Sequence, residues 1–194
     1  MTALTLRRTV VVVALLNLAY FGVEFVVARA IGSVSLFADS IDFLEDASIN
    51  TLIAVALGWT ARRRAALGSI LAVILLVPGI ATIVTAWQKL QLPVAPDAML
   101  LGATGAGALV VNLGCALLLA RVRAHAGSLS RAAFLSARND AVANAAIIVA
   151  GGATAAVGNA WPDLAVGIAI AALNAGAAHE VWQAARKERR SAEP

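Results

Sequence analysis

The stretch Phe37-Ala-Asp-Ser-Ile-Asp-Phe-Leu-Glu-Asp-Ala47 decides how this chain is read. It carries four acids, Asp39, Asp42, Glu45 and Asp46, inside an apolar segment covering residues 34–58. A helix needs about 20 predominantly apolar residues to cross a bilayer, and this segment meets that length. A single charged carboxylate at mid-membrane costs about 2.5–3.5 kcal/mol even on lenient scales. A cluster of them needs protons, metal ions or strong partners, and so marks a functional site.

The surrounding composition agrees with a membrane setting. Of 194 residues, 61% are hydrophobic and 13% are charged. Soluble domains average about 45–50% apolar and about 25% charged. The net charge of +4 does not indicate a nucleic-acid partner, because the basic residues sit in short runs between apolar blocks. Arg7 and Arg8 precede an apolar stretch too long for a signal-peptide core and without a clean cleavage site, which reads as a first transmembrane helix. Cys115 is the only cysteine, and His125 and His179 are the only histidines. A disulfide framework or a zinc site built on several His or Cys is thereby excluded within one chain.

Working outward, six segments are long and apolar enough to span: 9–30, 34–58, 66–87, 98–120, 132–156 and 162–184. Short connections join them. Basic residues cluster at the N-terminus (Arg7, Arg8), in the second connection (Arg62, Arg63, Arg64), in the fourth (Arg121, Arg123, Arg131) and after the last segment (Arg186, Lys187, Arg189, Arg190). The other connections have only Lys89, with Arg29 near a helix end. The positive-inside rule then predicts an all-α, polytopic membrane protein of six transmembrane helices with both termini cytoplasmic. Residues 1–185 are expected to form a six-helix transmembrane domain and 186–194 a short charged cytoplasmic tail. Trp59, Trp87, Trp161 and Trp182 fall near predicted helix ends, as an aromatic belt does. Pro78-Gly79 is expected to kink the third helix. The runs Gly102-Ala-Thr-Gly-Ala-Gly107 and Gly151-Gly-Ala-Thr-Ala-Ala-Val-Gly158 suit close helix packing.

At about 100° per residue, Asp39, Asp42 and Asp46 share one helix face, with Asp42 and Asp46 one turn apart. Their carboxylates can converge on one ion. Glu45 points about 100° away from Asp46. Asp39 lies nearer the outer end, as a ligand, a gate or a water-facing acid. In the fifth segment Ser136, Asp140 and Asn144 recur every four residues and share a face, with Asn139 to one side. If the second and fifth helices pack together, Asp42, Asp46 and Asp140 meet, and Ser136, Asn144 or water completes four-coordination. Asp39, Asn144 and Asn139 are the secondary metal candidates. Asn17 and Glu24 share a face of the first helix, for a water or proton path or for interhelical bonding. Asn112 and Asn174 read as packing polar groups. Asp163, after Pro162, suits the positive end of its own helix dipole.

These residues resemble the cation diffusion facilitator family. The resemblance rests on Asn17-Leu-Ala-Tyr-Phe-Gly-Val-Glu24, Ser33-Val-Ser-Leu-Phe-Ala-Asp39, the Asp42/Asp46 pair, Arg138-Asn-Asp-Ala-Val-Ala-Asn144 and Trp161-Pro-Asp-Leu164. It spans essentially the whole membrane region. It implies a six-helix metal–proton antiporter whose transport site falls on Asp42, Asp46, Ser136 and Asp140. Ser136 stands where the family has a stronger ligand. The resemblance also implies a homodimer, and a short form without the family's cytoplasmic C-terminal domain. The expected function is proton-coupled efflux of divalent transition metals, zinc, cadmium or cobalt first and manganese or iron second. Divalent metal and protons are substrates, with no prosthetic group. The partners are those ions, the lipid bilayer and a second copy, and the location is the inner (cytoplasmic) membrane.

Two other readings compete. The spacing Asp39-x-x-Asp42-x-x-x-Asp46 matches the aspartate pattern with which intramembrane prenyltransferases hold magnesium diphosphate. That chemistry needs several cationic groups and a second acidic motif, whereas only Arg138 lies near. A structural membrane subunit with neutral acids is the other.

Overall fold

The computed structural model describes residues 3–56, 80–123 and 127–173, with side chains described for 4–55, 80–121 and 139–173. The described residues form six helices and no strand: α1 (Ala3–Ile31), α2 (Val34–Ala56), α3 (80–91), α4 (Ala98–Arg123), α5 (Gly127–Val157) and α6 (Trp161–Leu173). Helix α1 starts at Ala3 and α5 at Gly127, earlier than the apolar blocks beginning at 9 and 132. Apolar content sets what can lie in lipid, while helicity continues through good helix formers such as Arg7 and Arg8. Trp59, Trp182, His125, His179, Asn174, Pro78-Gly79 and the basic runs at 62–64 and 186–190 lie outside the described residues.

Helix ends have local causes. Gly32 adopts φ +64°, and the Ser33 amide donates back to the Ala28 carbonyl at 3.0 Å. This is a Schellman stop, which needs a residue without a Cβ at the left-handed position. Gly158 (φ +67°) ends α5 with its amide on the Thr154 carbonyl at 2.9 Å. Ser33 caps α2 through Leu36 N–H at 3.1 Å, and Asp97 caps α4 through Leu100 N–H at 2.8 Å.

Helices α1 and α2 pack as one antiparallel pair and α4 and α5 as another, with α1 against α4 and α2 against α5. The four thus close a ring in the order α1–α2–α5–α4. Gly151 lets α5 approach α4 closely, since a Cβ there would lie 3.0 Å from the Gly102 backbone nitrogen. Tyr20 ties α1 to α4 by donating to the Thr104 carbonyl at 2.6 Å, and its ring packs on Phe43 of α2.

The distribution of polarity is inverted relative to a water-soluble fold. Asn17, Glu24, Asn112 and Asn144 are buried, whereas Val26 is 65% and Val149 is 70% exposed. Apolar outer faces with polar groups inside are what a lipid solvent selects. Leu4–Ile31, Ala98–Arg121 and Asn139–Val157 are long and apolar enough to cross a membrane. Helix α2 has comparable length but carries the four acids.

Candidate functional site

Helix α2 begins in an unusually complete cap. The Asp163 carboxylate, from α6, accepts from Val34 N–H at 2.9 Å and Ser35 N–H at 3.1 Å. It also accepts from the Ser33 and Ser35 hydroxyls, each at 2.6 Å. With Ser33 serving Leu36, the first three amides of α2 are satisfied. Asp163 was expected to serve the start of its own helix; its side chain serves the start of α2 instead. The reason is packing: Gly167, one turn further along α6, lets the two backbones touch, and a Cβ there would sit 2.7 Å from the Val34 carbonyl carbon. At the same end, Lys89 Nζ donates to the Gly32 carbonyl at 2.6 Å and lies within electrostatic reach of Asp163. Burial pushes the Lys89 ammonium below its usual value, while Asp163 opposes that shift.

This anchored helix presents the acids. Asp39, Glu45 and Asp46 are buried and Asp42 is half-buried. Asp140 of α5 is half-buried and comes within hydrogen-bonding range of Asp46. Asp42 lies within electrostatic reach of Asp140, Asp39, Glu45 and Asp46. The α2–α5 contact needed to bring the two acidic stripes together is therefore present. Glu45 stays close despite its different helical direction, because it too acts on Asp140. Among the described residues, however, no three His, Cys, Asp or Glu side chains gather tightly enough to hold one metal ion.

The secondary candidates divide. Asn144 is fully buried, and neither end of its amide has a hydrogen-bond partner. Asn139 is exposed. Asp39 is not water-facing but fully buried, and it faces Glu24 of α1. The Ser136 backbone belongs to α5, and its side chain lies outside the described ones. Two residues escaped the sequence reading. Asn50, buried, donates to the Asp46 carbonyl at 2.8 Å. It continues the Asp42–Asp46 spacing by one more turn, and that periodicity was the available signal. Cys115 of α4 is fully buried, with its thiol 3.9 Å from the Asn17 amide oxygen and facing Asp46 and Asp140. Nothing in the local sequence of α4 indicates that neighbourhood. A cavity of about 270 Å³ between α1 and α2, bordered by Ala14, Leu18, Leu44 and Leu52, is apolar and holds none of these acids.

The profile of the cation efflux transmembrane domain matches residues 10–186. No curated protein matches the chain.

Proposed function

The chain belongs to the cation efflux family, the cation diffusion facilitators, and from that premise we propose that it exports divalent transition-metal ions in exchange for protons. The family consists of metal-cation transporters and not enzymes, so the prenyltransferase reading falls. The observation that carries the proposal is the meeting of α2 and α5 at Asp46 and Asp140.

Asp42, Asp46 and Asp140 are the proposed cargo ligands, with Ser136, Asn144 or water filling the remaining positions. Carboxylates so close repel one another when ionised. A divalent cation removes that repulsion and draws Asp42 toward the Asp46–Asp140 pair. Protons remove it equally well. Metal and protons thus compete for the same oxygens, because a carboxylate must lose its proton to ligate. From the cytoplasm the site loads metal; facing a more acidic exterior, it takes protons and releases the metal. Movement of packed helices about this midpoint alternates the access.

The proposed arrangement has six spans, both termini in the cytoplasm, an inner-membrane location and a homodimer. Oxygen ligands suit manganese and iron, and with waters also zinc, cadmium and cobalt. Zinc, cadmium and cobalt are placed first. The test is reconstitution in vesicles holding a pH-sensitive dye, with zinc, cadmium, cobalt or manganese added outside. Metal-dependent proton movement is expected, and its loss in Asp46→Ala and Asp140→Ala. Variants that move metal like the parent overturn the site.

A further inference from the structure

Glu24 of α1 and Asp39 of α2 are both 0% exposed. They face each other at hydrogen-bonding range. Among the described residues, no amide, hydroxyl or cationic side chain donates to any of the four carboxyl oxygens. The Tyr20 hydroxyl, within electrostatic reach of both acids, gives its hydrogen to the Thr104 carbonyl. Two buried carboxyls without donors cannot both ionise unless a cation joins them. Asn17, one face with Glu24 and two turns away, is likewise fully buried with an unpartnered amide nitrogen.

The position of this pair matters. A helix rises about 1.5 Å per residue, so Asp39 lies roughly 10 Å from Asp46 along α2, on the side of the α1–α2 turn. Asp42 stands between and acts on Glu24 as well as on Asp140. The acids therefore form a file: Asp46 and Asp140, then Asp42, then Asp39 and Glu24. Its far end lies on the side of the α1–α2 turn, the end at which Lys89 and Asp163 hold Gly32 and the start of α2.

We propose that Glu24 and Asp39 form a second cation position, where the divalent cargo rests between the Asp46–Asp140 site and the α1–α2 end of the bundle. This rests on the transport reading. The pair supplies two hard oxygen ligands from two helices, and water supplies the rest. Neighbouring positions that share Asp42 let an ion advance without crossing apolar space.

The test is equilibrium dialysis of the purified full chain in detergent against cadmium chloride. At saturation the parent is expected to hold one ion at each position. E24Q and D39N, on different helices, are each expected to lose one ion and keep the other, while E24D retains both. The double variant D46N/D140N is expected to keep the Glu24–Asp39 ion and lose the other. Circular dichroism and size-exclusion profiles like the parent's confirm folding. Parent-like stoichiometry in both E24Q and D39N overturns the second position, as a pair that only shares a proton would behave. Loss of all cadmium in D46N/D140N overturns it too, with the transport site intact. A D46N/D140N variant that binds like the parent leaves the Glu24–Asp39 position standing and overturns the main site. A parent that holds no cadmium overturns both.

Discussion

The Ser35 hydroxyl donates to the Asp163 carboxylate at 2.6 Å across 128 residues of sequence, so the helix carrying the acids starts from a group on another helix. Asp163 also takes two backbone amides and the Ser33 hydroxyl. D163A leaves these donors without their acceptor and removes the negative charge within electrostatic reach of Lys89. Losing one partner of a buried charged network costs about 3–5 kcal/mol. A clear fall in detergent melting temperature is expected; an unchanged melt refutes the anchoring role.

Gly167→Ala pushes a Cβ to 2.7 Å from the Val34 carbonyl carbon and 2.8 Å from the Ser35 amide nitrogen. Backbone atoms yield less readily than side chains, and overpacking costs about 1–3 kcal/mol. Gly152→Ala meets nothing within 4 Å and is the matched control. Thermal melts are expected to separate the two, G167A falling and G152A holding.

Alkaline pH isolates Lys89. Burial lowers its proton affinity in the fold, with Asp163 opposing. Between the folded and unfolded values, the unfolded chain binds more protons. Stability from this group therefore rises with pH through that window and is lost below it. Melts taken upward toward the usual lysine value are expected to show this slope, and K89M to flatten it. An equal slope in K89M assigns the effect elsewhere.

Asn144 and Asn139 are neighbours in sequence but differ in burial. N144A is expected to slow metal-driven proton movement by more than about tenfold, the scale of losing a group that orients or completes a metal site. N139A is expected to stay within about twofold of the parent on that scale. Equal effects would remove Asn144 from the site.

Ser136 lies one helical turn before Asp140. S136H adds an imidazole, which favours zinc over manganese relative to oxygen ligands. Competition between the two metals in the vesicle assay is expected to shift toward zinc. An unchanged preference places residue 136 off the path.

The all-helical fold was legible because lipid imposes a length and an apolar content on a span, as Leu4–Ile31, Ala98–Arg121 and Asn139–Val157 show. The acidic stripes were legible because helical periodicity is local: Asp42 and Asp46 lie four residues apart, as do Ser136, Asp140 and Asn144 in turn. What sequence reasoning could not supply was contact between elements. Asp163 suits the start of α6 by every local rule, yet Gly167 brings α2 close enough to claim the carboxylate. Asp39 near a helix end reads as wettable, yet Glu24 on α1 encloses it. The Cys115 neighbourhood follows only from the ring order of four helices.

The lone thiol of Cys115 is wholly enclosed. In the folded protein it is shielded from maleimide reagents, so the native chain already serves as a silent background for site-directed labelling. Single cysteines placed on exposed positions such as Trp87 or Trp161 can carry fluorophores or spin labels without first removing the native thiol. Distances between such probes, read with and without metal, can then follow the helices through a transport cycle.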